Sequence, residues 1–190
     1  MSMVHKAFLF DTVLFNKEVA GMILEAGVHN DTEVLRYFIE RSIGRARSPY
    51  TGEVLEAGWE TELENGTIQE LADFVMACYY DPKDDKGLAY EWDSLLEALK
   101  KLITASEANA LILGRALKKD GFSVDPGYMG TGFVQAEKVP ALYDTLCGWE
   151  KNVKQIVLET NSPQLANAFA SLKGLYREAL AQGRGLLLTF

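Results

Sequence analysis

Two short apolar runs, one near each end of the chain, most strongly limit the folds open to this sequence. The first is VHKAFLF at residues 4–10 and the second is GRGLLLTF at residues 183–190. Aromatic and β-branched residues favour strands, and a run that is apolar throughout is typical of a strand covered on both faces. Helical patterns fill most of the chain between them. The sequence therefore predicts an α+β fold in which helices dominate and the sheet is small and mixed.

Length and composition bound the number of domains. The chain has 190 residues, of which 48% are hydrophobic and 24% are charged. These are ordinary values for a globular protein, and a chain of this length is sufficient for one sizeable core. We expect a single domain over residues 1–190.

Capping residues mark several helix boundaries. Thr67, followed three residues later by Glu70, forms a capping box and gives the clearest helix start. Ser162 and Pro163 predict the start of a long helix that Gly183 ends. Apolar residues at helical spacing also predict helices that begin near Asn16, Asp31, Leu88 and Pro140, the first of them ending at Gly27.

Three further stretches bear on the size of the sheet. The alternation in GWETEL, residues 58–63, predicts a strand with Trp59 on one face and Glu60, Glu62 and Glu64 on the other. KQIVLE, residues 154–159, also fits a short strand. The segment at residues 106–121 fits either a helix capped by Ser106 or a buried strand centred on ALILG, and the local pattern leaves both open.

Charge and hydropathy argue against several classes of function. The net charge of −8 argues against nucleic-acid binding, which depends on lysine and arginine, whereas it favours a basic protein partner. No apolar run approaches the roughly 20 residues that span a bilayer, and Asp11 interrupts the N-terminal run where a signal peptide would stay apolar. We expect a cytoplasmic protein that binds no membrane. Cys78 and Cys147 are then small core residues without a disulfide.

The stretch YYDPKDDKGLAYEWDSLL, residues 79–96, places acidic residues and a glycine between two apolar stretches, as a metal-binding loop could. It fails as an EF-hand, because a register starting at Asp81 puts lysine at ligand position three, and a register that fits Gly87 starts at Pro82. The stretch is better explained as a turn between two helices. His5 and His29 lack metal-ligand spacing, and no nucleotide-binding fingerprint is present, so neither a metal nor a cofactor is expected.

The most unusual charge feature is a set of four arginines without a lysine, Arg36, Arg41, Arg45 and Arg47, around a predicted helix C-terminus. Guanidinium groups bind phosphate or carboxylate through two parallel hydrogen bonds, although cations also favour a helix C-terminus in the absence of any ligand. The stretch GFSVDPGYMGTGF, residues 121–133, predicts a long irregular loop. A cleft between the two would have these ligand-binding residues: Arg41, Arg45, Arg47, Asp125 and Tyr128.

Four segments follow one another between residues 86 and 190: KGLAYEWDSLLEAL, NALILGRAL, GYMGTGFVQAEKVPALYDTL and LKGLYREALAQGRGLLLTF. Through these segments the second half of the chain resembles the YfbM-like family of uncharacterised bacterial proteins. Trp92, Gly114 and Gly130 match recurring positions of the family pattern, and Tyr128 lies beside them. The resemblance implies a compact cytoplasmic α+β domain and no particular reaction.

Two functional hypotheses follow. In the first, the protein is a non-enzymatic binding or regulatory protein, of the immunity or antitoxin kind, that captures a basic protein partner through Glu60, Glu62 and Glu64. In the second, it is a sensor or enzyme for a small molecule or anion. That hypothesis requires Arg45 and Arg47 to approach Asp125 and Tyr128 around a concave pocket.

Overall fold

The computed structural model describes residues 3–125 and 132–190, and an antiparallel sheet lies at its centre. The described strands are β1 (Lys6–Phe10), β2 (Leu117–Lys119), β3 (Phe122–Val124), β4 (Phe133–Val134) and β5 (Gly185–Thr189). The central sheet has the order β1-β5-β4, and β2 pairs with β3 in a separate hairpin. Both predicted terminal strands are confirmed, with the C-terminal one in the middle. The sheet was expected to be mixed, but every strand pair in the described residues is antiparallel.

Helices occupy most of the chain between β1 and β5, which confirms the helix-dominated α+β class. Their bounds are α1 (Thr12–Glu18), α2 (Ala20–His29), α3 (Thr32–Arg41), α4 (Ile68–Met76), α5 (Trp92–Leu99), α6 (Ala105–Ile112), α7 (Val139–Gly148), α8 (Glu150–Thr160) and α9 (Pro163–Gln182). Among the described residues, no helix combines the length and the apolar character needed to cross a membrane.

The central sheet separates two hydrophobic clusters, because successive side chains of a strand point to opposite faces. Along β5, Leu186 and Leu188 lie in one cluster and Leu187 lies in the other. On β1, Ala7 and Phe8 divide in the same way. Helices α5 to α9 cover the first face, and α1 to α4 together with the hairpin cover the second. The central strand therefore has no solvated face, which accounts for its unbroken apolar run.

Side-chain caps begin helices where the sequence indicates them. Thr67 caps α4 and Asp31 caps α3, each by accepting a hydrogen bond from a backbone N–H of the first turn. Ser162 caps α9, Pro163 is its first residue, and Gly183 ends it in the left-handed conformation. These predictions are confirmed because each cap depends only on residues adjacent in sequence.

The first two helices differ from the prediction. Asp11, rather than Asn16, caps α1, and its carboxylate accepts a hydrogen bond from the N–H of Leu14. Gly27 lies inside α2 and does not end it; the helix stops at Asn30 in the left-handed conformation. The reason for glycine at position 27 is packing, since the ring of Phe122 from the hairpin occupies the space of a β-carbon there.

Two predicted strands are wrong. GWETEL forms a single 3-10 turn, Trp59–Glu62, in which the buried Trp59 ring packs against Phe74 at 5.5 Å between centroids. KQIVLE lies within α8, where Val153 and Ile156 are buried at helical spacing and Leu158 is 76% exposed. In both cases a short apolar alternation fits more than one period.

The undecided segment at residues 106–121 contains both a helix and a strand. Thr104, rather than Ser106, caps α6 through a full capping box with Glu107. The strand β2 follows, and the Asp120–Gly121 turn leads into β3 with both residues at positive φ. An Asp-Gly pair is a strong signal of a hairpin turn, and it was available in the sequence.

The cysteines agree only in part with their predicted core positions. Cys78 is half-buried and Cys147 is exposed, and both thiols are free. The expectation of no disulfide holds for this pair, but Cys147 is not a core residue.

We predict that Gly27→Ala destabilises the protein, because the added β-carbon would lie 2.2 Å from the Phe122 ring. The cost of forcing a ring out of a packed site is about 1–3 kcal/mol in the free energy of unfolding. Gly21→Ala in the same helix is the matched control, since a β-carbon there meets nothing within 4 Å. The control should gain up to about 1 kcal/mol from helix propensity. Equal unfolding free energies for the two variants in urea titrations would contradict the packing argument.

Candidate functional site

A pocket of about 210 Å³ lies on the α4 side of the central sheet, and its floor comes from the two longest strands. The strand residues that line it are Lys6 and Phe8 from β1 and Leu187 and Thr189 from β5. Lys6 is paired with Thr189, and Phe8 with Leu187, in the antiparallel register. Residues two apart on a strand share a face, so this register brings all four side chains to the same side of the sheet.

Helix α4 and the loops complete the enclosure, which we call the Asp73 pocket. Asp73 and Met76 come from α4, three residues apart and thus on neighbouring positions of one helix face. The other lining residues come from outside the helices and strands and are Pro49, Tyr50, Tyr80, Pro82 and Phe190. The pocket therefore joins four segments that are distant in sequence.

A side-chain amide fixes the position of the Asp73 carboxylate. Gln69, one turn earlier in α4, donates from Nε2 to Asp73 Oδ1 at 3.0 Å. The Oε1 atom of the same Gln69 accepts from the backbone N–H of Asp125 at 3.0 Å. Gln69 thus links the pocket carboxylate to Asp125, the residue that follows β3.

The environment of Asp73 makes it an acid that titrates near neutral pH. Burial raises the pKa of Asp73 to about 7, the Gln69 hydrogen bond acts against the rise, and the negative charges of Glu70 and Asp125 add to it. A carboxyl group with such a pKa exchanges its proton in the physiological range. A titrating acid in a concave site is a recognised mark of a functional site.

Glu70 holds one wall of the pocket in place. Its carboxylate accepts hydrogen bonds from the backbone N–H groups of Glu64, Asn65 and Gly66, and from the hydroxyl of Tyr50 at 3.1 Å. Burial acts to raise the pKa of Glu70, but these donors outweigh it and hold the pKa below its usual value. An ionised Glu70 therefore anchors Tyr50 beside Asp73.

Aromatic rings form much of the remaining wall. Phe8 and Tyr80 lie 4.8 Å apart between centroids, and Tyr80 also contacts Phe10 at 6.0 Å. Burial raises the pKa of Tyr80, with a further contribution from the charge of Asp73. A carboxyl group among aromatic rings is an arrangement suited to an organic cation, which the ring faces and the negative charge both attract.

The structure separates the predicted arginines from this pocket. Arg41 is exposed and lies over the ring of Tyr37, 5.6 Å from its centroid. Arg45 lies beside Cys78; burial raises the pKa of that thiol and the arginine acts against the rise. Arg47 donates to the carbonyl of Gly52 at 3.0 Å. The contact of Arg41 therefore lies within α3, that of Arg47 lies within the loop, and that of Arg45 joins the loop to the residues that follow α4.

The same loop nevertheless reaches the pocket through Pro49 and Tyr50. Arg47 lines a different, wider cleft together with Asp11 and Arg184. Asp125 approaches Asp73 closely enough to affect its pKa. Tyr128 lies outside the described residues.

The acidic residues considered as candidate sites in the sequence lie mainly in turns and in contacts that support the fold. Glu60 and Glu62 belong to the 3-10 turn and Glu64 follows it, so the predicted strand face of three glutamates does not form. In the acidic stretch at residues 79–96, Asp85 accepts from the backbone N–H of Ala7 at 3.0 Å. A second bond runs from the N–H of Lys86 to the carbonyl of Ala7 at 2.8 Å. The stretch joins α4 to α5 and pairs with the outer edge of β1.

The family-pattern positions are also explained by packing. Trp92 begins α5, donates from Nε1 to the carbonyl of Met3 at 3.0 Å, and lies 4.8 Å from the Phe190 ring. Gly114 has a φ of +68°, and a β-carbon there would lie 2.8 Å from the backbone of Gly132. Gly130 lies outside the described residues.

Sequence reasoning missed Asp73, Tyr50 and Tyr80. One signal was available for Asp73, which interrupts the otherwise apolar segment LADFVM at residues 71–76. Charged residues are rarely placed among buried ones unless they have a partner or a role. In the described part of the chain, no group of three or more histidine, cysteine, aspartate or glutamate residues is arranged to hold a metal ion.

We predict that Asp73 makes the protein less stable as the pH rises from about 4 to 7. Its folded-state pKa of about 7 lies above the ordinary value of 3.8, so the native state keeps a proton that the unfolded chain releases over this range. A shift of this size corresponds to about 2–4 kcal/mol. Asp73→Asn should remove that loss, whereas Asp93→Asn on the exposed side of α5 should retain it. Urea unfolding at about pH 5 and pH 8 measures the difference, and identical pH dependence in the wild type and Asp73→Asn would refute the assignment.

Comparison with models of known protein families, with curated proteins and with solved structures finds no match to this chain.

Proposed function

We propose that this protein is a small-molecule binding protein or sensor whose Asp73 pocket holds a small ligand carrying a protonated amine. The observation that carries the proposal is the Asp73 carboxyl group placed among the rings of Phe8, Tyr50 and Tyr80. An ammonium group entering the pocket would pair with the ionised carboxylate and lie against ring faces. The ammonium group would also offset the free-energy cost of burying the ionised Asp73 carboxylate away from water.

The volume of the pocket and the positive charge of Lys6 limit the kinds of ligand that would fit. A volume of about 210 Å³ is below the roughly 300 Å³ at which pockets for drug-sized ligands begin, so the ligand is small. Lys6 lines the pocket from β1 and supplies a positive charge from the sheet side. A ligand with an amine for Asp73 and a carboxylate for Lys6 satisfies both groups. We therefore propose a zwitterion of amino-acid size.

This proposal develops the second sequence hypothesis in a changed form. The arginine-bearing loop contributes Pro49 and Tyr50 in place of its arginines, and Asp125 acts through Asp73 and Gln69. The first hypothesis, a basic protein partner captured by Glu60, Glu62 and Glu64, has less support because those residues do not share a strand face. A cytoplasmic location stays a prediction.

The test is thermal unfolding against a panel of amino acids and small amines at about pH 8, where Asp73 is ionised. A ligand at 100 times its dissociation constant adds about 2.7 kcal/mol to stability, which gives a clear rise in Tm. Calorimetric titration of the best compound should show at least tenfold weaker binding to Asp73→Asn, since one charge-assisted hydrogen bond is lost. Affinity should fall between about pH 8 and pH 6 as Asp73 gains its proton.

Asp93→Asn is the matched control, because it removes an exposed carboxylate of α5 that does not line the pocket. Equal affinity for the wild type and Asp73→Asn would reject the site. The absence of a saturable shift with any amine in the panel would reject the proposed ligand class.

A further inference from the structure

A second groove, of about 510 Å³, lies where α6, β4 and α7 meet. It shares no lining residue with the Asp73 pocket. Its apolar lining includes Leu117 from β2, Phe133 and Val134 from β4, and Leu142 from α7. We call it the α7 groove. Its volume falls within the roughly 300–1,000 Å³ of small-molecule sites.

Two cations line this groove. Arg115 and Lys138 are both exposed lining residues, and the described lining contains no aspartate or glutamate. Within residues 3–125 and 132–190, the guanidinium of Arg115 and the ammonium of Lys138 have neither a hydrogen-bond partner nor an ion-pair partner. The described charged residues of this lining are therefore both positive, in a chain whose net charge is −8.

The apolar groove between α8 and α9 provides a useful contrast. Its two lysines, Lys154 and Lys173, both contact Glu150, at 3.0 Å and 2.7 Å. Their charges are therefore already matched by the protein. In the α7 groove the positive charge is not matched by a described residue, which makes it available to a ligand.

A polar side chain is also fixed at the α7 groove. Gln135 lines it, and its Oε1 atom accepts a hydrogen bond from Asn16 Nδ2 at 2.7 Å. The oxygen is thereby occupied by α1, and the amide nitrogen is the remaining polar group of that side chain. An amide N–H donor beside two cations suits an acceptor group with negative charge.

We infer that the α7 groove binds an amphipathic anion, namely a free fatty acid of medium chain length. The hydrocarbon chain would lie against Leu117, Phe133 and Leu142, and the carboxylate would take Arg115 and Lys138 as its partners. Burial of each methylene group is favourable, and the two cations determine which end of the ligand faces them. This inference is independent of the proposed function, because it uses none of the residues of the Asp73 pocket.

The experiment is calorimetric titration of the full chain with decanoate, kept below its micellar concentration, and with decanol as the uncharged analogue. Decanoate should bind saturably with one site per chain, and decanol at least tenfold more weakly. The double variant Arg115→Ala/Lys138→Ala should lose at least tenfold in decanoate affinity. The control Lys118→Ala/Lys151→Ala removes two exposed cations outside the groove and should change affinity less than twofold.

A variant that blocks the groove distinguishes binding of decanoate in the groove from a general attraction of the anion to positive charge. Ala141 is an exposed lining residue of α7, so Ala141→Trp should fill the groove and abolish decanoate binding. Ala181→Trp, at an exposed position of α9 away from the groove, is its control and should bind normally. No saturable decanoate binding by the wild type, equal binding of decanol, or unchanged binding in Ala141→Trp would each overturn the inference.

Discussion

The position of β5 between β1 and β4 is the constraint on which the rest of the structure depends. Its backbone pairs with the first described strand on one side and with β4 on the other, and its side chains enter both hydrophobic clusters in turn. Leu186, Leu187 and Leu188 are each at most 2% exposed. A strand with no solvated face requires helices on both sides, so the two helical layers follow from it.

The Asp73 pocket is a consequence of the same arrangement. The β1–β5 register places Lys6 and Phe8 opposite Thr189 and Leu187, and α4 packs over that face with Asp73 directed into the pocket lining. The energetic cost of the buried carboxyl is reflected in its raised pKa. A fold selected only for stability gains nothing from that cost, and this is the physical reason for proposing that the ligand binds there.

The capping residues of the helices could be read from the sequence, whereas the spacing of apolar residues did not always distinguish a helix from a strand. Helix starts near Thr67, Asp31 and Ser162 were predicted because their caps involve hydrogen bonds within one helical turn. GWETEL and KQIVLE were assigned wrongly because a few apolar residues fit a strand and a helix equally well. The burial of Trp59 and Val153 against residues distant in sequence decides which structure forms. The contacts of the arginines could not be read from the sequence, because the Arg45–Cys78 approach and the Arg47–Gly52 hydrogen bond depend on the folded chain.

The sequence by itself determined the helix-dominated class, the two terminal strands and the ends of the longest helix, because caps and apolar periodicity act over a few neighbouring residues. Only the tertiary structure decided the strand order and the members of the candidate site. The Gln69–Asp125 hydrogen bond joins residues 56 positions apart, and the β1–β5 pairing joins the two ends of the chain. The raised pKa of Asp73 arises from burial and from charges that such long-range contacts bring together, so no local pattern could have revealed it.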